Sequence, residues 1–157
     1  MSSVPGRLEV EVSYAALHPW VPRRAQFAAW AAAALRGAAH VAKHAVVTVR
    51  VVGAARSRTL NARYRRKHRP TNVLSFTGPG MSPDGRNYLG ELVICAPVVA
   101  REAEEQGKTA ESHWAHITVH GTLHLLGFDH ERASEARKMT ATEIQILDRL
   151  GFSNPYA

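Results

Sequence analysis

The sequence predicts an α+β fold: one layered domain over residues 1–157, with a small mixed sheet of about four strands packed against helices. Three features point there. Short alternating or valine-rich apolar runs, with helical stretches between them, extend to Cys95, and helical spacing takes over after Pro97. A chain of 157 residues can bury one continuous core, and its single cysteine means no internal disulfide supports it. No internal repeat or low-complexity linker divides the chain.

The elements follow in order. Leu8, Val10, Val12 and Tyr14 alternate with Glu9, Glu11 and Ser13, which is a half-buried strand. Pro22 suits the first turn of a helix running to about residue 38, with Gly37 near its end. Its apolar stretch from Phe27 to Ala39 is shorter than a membrane span and contains Arg36, so a packed helix is expected and no membrane contact. Residues 45–52 are valine-rich and read as a more buried strand. Residues 54–67 read as a helix with Leu60 and Tyr64 on one face. Residues 73–76 form a short strand, 77–84 a Gly/Pro-rich loop, and 88–95 another strand interrupted by Gly90. Pro97 opens a helix through Gln106, stopped by Gly107. Thr109 and Ser112 are the two candidates to cap the next helix, and an amphipathic helix over 134–150 ends at Gly151.

The functional signal lies in His120-Gly121-Thr122-Leu123-His124-Leu125-Leu126-Gly127-Phe128-Asp129-His130. Four helical residues turn through about 400°, so His120 and His124 project from one face, one turn apart. Gly127 can end the helix in a left-handed conformation, and the reversed chain carries His130 back toward the same ion. Three imidazoles with an open fourth position describe a catalytic zinc site on a helix of the C-terminal half and the turn after it. Nickel or copper would also suit such ligands. The spacing is that of the metzincin proteases, but Gly121 stands where their glutamate base belongs, so peptide cleavage is not expected. His113 and His116 lie earlier on the same helix. Another turn places His116 about 6 Å further along the axis, too far to share the ion with His124, so both are read as packing or orienting residues. Asp129 has two readings, orienting an imidazole or stabilising the turn.

A formal charge of +7 points to a polyanionic partner. Arg63, Arg65, Arg66, Lys67 and Arg69 form the densest basic cluster, and helical geometry separates Arg65 from Arg63 and Arg66. Thr71 and Ser75 border the strand leading toward the supposed cleft and are weaker candidates for phosphate contact. The opening residues Met1 to Arg7 contain no apolar segment of a signal peptide. Cys95, in the run Leu92-Val93-Ile94-Cys95, is expected to be a small buried hydrophobe, and such cysteine usage suits a reducing, cytoplasmic setting.

Four ordered blocks resemble the YbeY-type endoribonucleases, the rRNA maturation factors. Leu60-Asn61-Ala62-Arg63-Tyr64-Arg65-Arg66-Lys67 resembles that family's L-N-x-x-Y-R-x-K segment, and Pro70-Thr71-Asn72-Val73-Leu74-Ser75-Phe76 its P-T-(D/N)-V-L-S-F strand. Leu89-Gly90-Glu91-Leu92-Val93-Ile94-Cys95 resembles L-G-D-(I/L)-x-I, and the histidine block resembles H-G-x-L-H-L-x-G-(Y/F)-D-H. The resemblance covers residues 60–156 well and the first third only by layout. Glu91 stands where aspartate is usual, and Phe128 where tyrosine is commoner. The resemblance implies a single-metal, zinc-dependent endoribonuclease acting on single-stranded RNA, with ribosomal RNA and the small ribosomal subunit as partners and no role for DNA. Its work would be ribosomal RNA end maturation and ribosome quality control. His120, His124 and His130 would be the metal ligands, and Arg65, which matches the family's implicated arginine, would contact the scissile phosphate through its two-pronged guanidinium. Whether activated water attacks phosphorus or instead deprotonates the ribose 2′-hydroxyl stays open. The alternatives are a zinc peptidase with another base and a non-catalytic ribosome-assembly factor with a structural metal.

Overall fold

The computed structural model describes residues 7–40, 43–129 and 131–157. Among them the elements run β1 (Arg7–Tyr14), α1 (Arg24–Gly37), β2 (His44–Val52), α2 (Ala54–Arg65), β3 (Val73–Met81), β4 (Asn87–Cys95), α3 (Ala96–Glu105), α4 (Ala110–Leu125) and α5 (Ala133–Arg149). The sheet order is β1-β2-β4-β3, with β1, β2 and β4 parallel and β3 antiparallel to β4. The expected α+β layering with a four-stranded mixed sheet is the observed one.

The two faces of the sheet are covered unequally, and this places the site. Val47, Val49 and Val51 of β2 and Leu92 and Ile94 of β4 pack into the main core with Phe27 and Trp30 of α1, Trp114 and Leu123 of α4, and Met139 and Ile146 of α5. On the other face Val52, Leu74 and Val93 meet Leu60 of α2, with Phe76 against them. Consecutive residues of β3 therefore point to opposite layers: Val73 joins the main core and Leu74 the smaller one. Because β3 is the edge strand, the end of α2 and the middle of α4 approach the same rim from opposite faces.

Several boundaries differ from expectation for identifiable reasons. The first helix starts at Arg24, not in the turn of Pro22: Arg23 is the cap, its N–H donating to the Gln26 Oε1 at 2.9 Å. The second ends at Arg65 because Arg66 is left-handed (φ 58°), which removes Lys67 from the helix. The residues read as a loop after Phe76 instead prolong β3 to Met81. Glycine and proline there suggested a break, but an edge strand tolerates a proline that lacks a donor. Gly90 (φ +147°) also lets the two strands close up, since a Cβ there would sit 2.2 Å from the Phe76 carbonyl. Thr109 is the cap of α4, its Oγ1 accepting from the Ser112 N–H at 3.1 Å, which decides between the two candidates. Cys95 is fully buried, as its apolar run implied, and burial pushes its thiol pKa up. No helix among the described residues is long and apolar enough to cross a membrane.

Candidate metal centre

Helix α4 is the most enclosed helix of the fold. Trp114, Ala115, Val119 and Leu123 have no exposed surface, and the Trp114 ring meets Phe27 edge-on at 5.9 Å. Side chains carried on such an element keep their positions because the core fixes the backbone beneath them. The helix stops as the glycine predicts. Gly127 has φ +95°, its N–H donates to the His124 carbonyl at 3.1 Å, and the Phe128 N–H donates to the Leu123 carbonyl at 3.0 Å. This paired termination turns the Phe128 carbonyl back over the last helical turn, where it accepts a hydrogen bond from Nδ1 of His124 at 3.0 Å.

His120 is oriented by a different device. Its Nδ1 lies 3.0 Å from Oε1 of Glu143 on α5, a side chain only 1 % exposed. The same oxygen lies 2.9 Å from Nε2 of His116. Burial alone would push the Glu143 pKa up, but the hydrogen bonds and positive potential of His116 and His120 outweigh it and hold it at about 2. Glu143 is therefore an acceptor at neutral pH. Burial also lowers the His116 pKa, and it raises that of Tyr156, whose hydroxyl reaches both Glu143 oxygens at 3.1 Å.

These partners fix the tautomers. A carbonyl and an ionised carboxylate can only accept, so His124 and His120 each carry hydrogen on Nδ1. In the neutral rings both Nε2 atoms then present lone pairs, and these lie 3.1 Å apart. Two lone pairs at that distance repel unless a proton or a metal ion lies between them. Imidazoles fixed through Nδ1 and converging through Nε2 form a donor set that fits a transition metal.

His116, His120 and Glu143 also bring ligand atoms within 4.8 Å of one another, a group that could hold a metal ion. In the arrangement seen, however, Oε1 of Glu143 already receives hydrogens from both rings, and His120 and His124 line an open cavity. His113 is buried with its Nε2 2.9 Å from Oε1 of Glu102, and His116 is held on Glu143. The third expected ligand, His130, lies outside the described residues.

The open space is a cavity of about 550 Å³ lined by Arg65, Ser75, His120, His124, Asp129 and Glu131, among others. Thus Arg65 and the two described histidines, 55 residues or more apart in sequence, share one wall-lined space. Arg65 arrives there because α2 ends at it, and because the buried Asn61 donates to the Arg69 carbonyl at 2.8 Å, tying down the loop that follows. Arg63 instead leans over the Tyr64 ring at 5.6 Å. Asp129 lines the cavity beside His120 and His124. Ser75 borders it too, but its hydroxyl donates to the Gly121 carbonyl at 3.1 Å, so it fastens α4 to β3 and does not offer its hydrogen to a phosphate. Thr71 is engaged away from the site through its backbone, with its N–H on Ser57 Oγ at 2.9 Å. Glu91 pairs with Arg50 on β2 and belongs to a different cleft.

Gly121 has a packing reason. A Cβ there would meet Leu92 at 3.0 Å, Val73 at 3.2 Å and Ser75 Oγ at 3.3 Å. The helix rests closely on the sheet, and a side chain at 121 requires Leu92, Val73 and Ser75 to give way by a few tenths of an ångström.

Sequence reasoning missed Glu143, Tyr156 and the Phe128 carbonyl. One signal for Glu143 was available: it occupies the buried stripe of α5 with Met139, Ile146 and Leu147. An acid on an apolar stripe requires a partner.

Comparison with known proteins agrees with this geometry. The profile of the family described as Endoribonuclease YbeY matches residues 21–151. A protein of Stenotrophomonas maltophilia (strain R551-3), named Endoribonuclease YbeY, is 49 % identical over 161 residues, covering 100 % of this chain and 98 % of its own. One of Xanthomonas axonopodis pv. citri (strain 306), with the same name, is 50 % identical over 163 residues with the same coverage. The solution structure of TM1509 from Thermotoga maritima aligns with a TM-score of 0.60 over 90 % of this chain and 89 % of that one, at 23 % identity, which establishes likeness of fold.

Proposed function

Since the chain belongs to the endoribonuclease YbeY family, we propose that it cleaves single-stranded RNA at one zinc ion held by His120, His124 and His130, beside Arg65. The observation that carries this reading is the convergence of the two Nε2 lone pairs at 3.1 Å in a cavity that Arg65 also lines. When bound, the metal supplies a Lewis acid and a water of lowered pKa.

The chain's own residues do the rest. Glu143 and the Phe128 carbonyl hold the imidazoles by their Nδ1 hydrogens, which leaves Nε2 as the lone-pair donor of each neutral ring. Arg65 offers two donors to phosphoryl oxygens that gain charge during displacement. Asp129 and Glu131 place carboxylates at the cavity wall, where they discourage additional phosphates and favour a single backbone crossing. The chain's excess of cations attracts RNA without reading its sequence. We assign the substrate to ribosomal RNA ends, with the small subunit as partner and the cytoplasm as site of action. Gly121 supplies no protease-type base, and a side chain there would crowd Leu92, Val73 and Ser75, which argues against peptide cleavage.

The test compares turnover of unstructured RNA and of casein-like unfolded protein, each with metal present and stripped. Metal-dependent RNA cleavage with intact casein supports the assignment. Metal-dependent proteolysis without RNA cleavage would reverse it, and metal binding without turnover of either would leave an assembly factor.

A further inference from the structure

Residues 152–157, after α5, fold back against α4 and are fastened at several points. The Phe152 N–H donates to the Leu147 carbonyl at 2.8 Å, and its ring meets Trp30 edge-on at 6.4 Å. Lys108 Nζ donates to the Pro155 carbonyl at 2.7 Å, and the Tyr156 N–H donates to Asn154 Oδ1 at 2.8 Å. These anchors bring the Tyr156 ring edge-on to His116 at 5.3 Å. They also make it one wall of a cavity of about 190 Å³ behind His120, bounded as well by Met139 and Glu143.

The phenol does something the histidines do not. His116 and His120 both bond to Oε1 of Glu143. Among the described residues, the Tyr156 hydroxyl is the donor that reaches Oε2, at 3.1 Å. A carboxylate oxygen buried without a donor is costly, and the group turns or shifts to find one. Turning Glu143 about its own axis would carry Oε1 away from Nδ1 of His120. A half-exposed phenol at the protein surface thus controls the rotation of a buried carboxylate, and through it the aim of one metal-binding imidazole.

We propose that Tyr156 is a positioning residue of the metal centre, acting through Glu143 on His120. This rests on the metal reading above and does not depend on what the metal does to RNA. The experiment uses the full chain with the conservative change Tyr156→Phe, which keeps the ring against His116 and removes only the hydroxyl. Zinc affinity is measured by competition with a chelator, and the visible spectrum is recorded with cobalt in place of zinc. We expect about tenfold weaker zinc binding, the lower end of the range for losing an outer hydrogen-bond partner, and an altered cobalt spectrum. The RNA KM stays at the wild-type value, and kcat recovers at saturating metal.

The change should also vanish in the background of Glu143→Gln, because Tyr156 acts through that carboxylate. Equal loss in both backgrounds would contradict the route. Zinc affinity within about twofold of wild type, with only the melting temperature of the metal-free protein lowered, would make Tyr156 a packing residue and overturn the proposal. Wild-type protein that binds zinc but cleaves no RNA would refute the nuclease reading and leave this inference standing.

Discussion

Glu143→Gln isolates the buried charge that meets Nδ1 of His120. The substitution preserves shape but replaces an acceptor-only carboxylate with a group that accepts at one end and donates at the other. Three hydrogens, from His116, His120 and Tyr156, converge on Glu143, so an uncharged amide can keep both ring hydrogens only on its single oxygen, with its NH₂ turned to the Tyr156 hydroxyl. The magnitude follows from the acid strength. A pKa of about 2 against 4.5 for the free side chain corresponds to about 3 kcal/mol of folding stability. Because the folded value is the lower one, that stability is present above pH 4.5 and is lost as pH falls toward 2. The assay is urea unfolding of metal-free protein at a series of pH values. The gap between wild type and Glu143→Gln should be about 3 kcal/mol at pH 7 and narrow steadily below pH 4.5. In parallel, zinc affinity should fall about 10- to 100-fold. A gap that does not change with pH, or unaltered zinc affinity, would show that Glu143 is not the ionised partner of His120.

Other outcomes follow from the same geometry. Arg65→Ala should lower single-turnover RNA cleavage by about a hundredfold while metal stays bound, and Arg65→Lys should restore little; Arg63→Ala and Arg66→Ala should weaken RNA binding in a salt-dependent way and spare the saturated rate. If Arg65→Ala behaves like Arg63→Ala, the catalytic assignment of Arg65 is wrong. Gly121→Glu should destabilise the fold, because its side chain must displace those of Leu92, Val73 and Ser75, read by denaturant unfolding, with no protease activity gained. A fully stable Gly121→Glu protein would contradict the close approach. Gly127→Ala must hold a Cβ at φ +95°, costing about 1–2 kcal/mol, and should weaken zinc binding because the Phe128 carbonyl moves off His124. Unchanged metal affinity there would show that the carbonyl does not orient the ring.

What the sequence made legible is what depends on local spacing. The pair His120 and His124 shares a helical face because four residues make about one turn, and Gly127 ends the helix because its φ is positive. The strand order was not legible, since it depends on the pairing of β4 between β2 and β3, which no local pattern encodes. The length of β3 was misjudged because Gly78, Pro79 and Gly80 look like loop residues wherever they occur, and only the edge position makes them tolerable in a strand. Arg65 could be separated from its neighbours by helical phase, but its presence in the cavity depends on the turn at Arg66 and the tie from Asn61 to Arg69. The orienting partners were the hardest to see. One is a backbone carbonyl that carries no residue identity, so phenylalanine at 128 serves as well as tyrosine. Another, Glu143, is remote in sequence and signalled only by an acid on a buried stripe.

On the proposed function, the Nε2 atoms of His120 and His124 hold the metal on which RNA cleavage depends. The most direct measurement titrates zinc into stripped, untagged protein while following single-turnover cleavage of an unstructured RNA, with His124→Ala alongside. Cleavage should rise in proportion to bound zinc, level off at about one equivalent, and be lost together with tight zinc binding in His124→Ala. Full cleavage by the stripped protein, or a His124→Ala variant that binds zinc and cleaves like wild type, would contradict it.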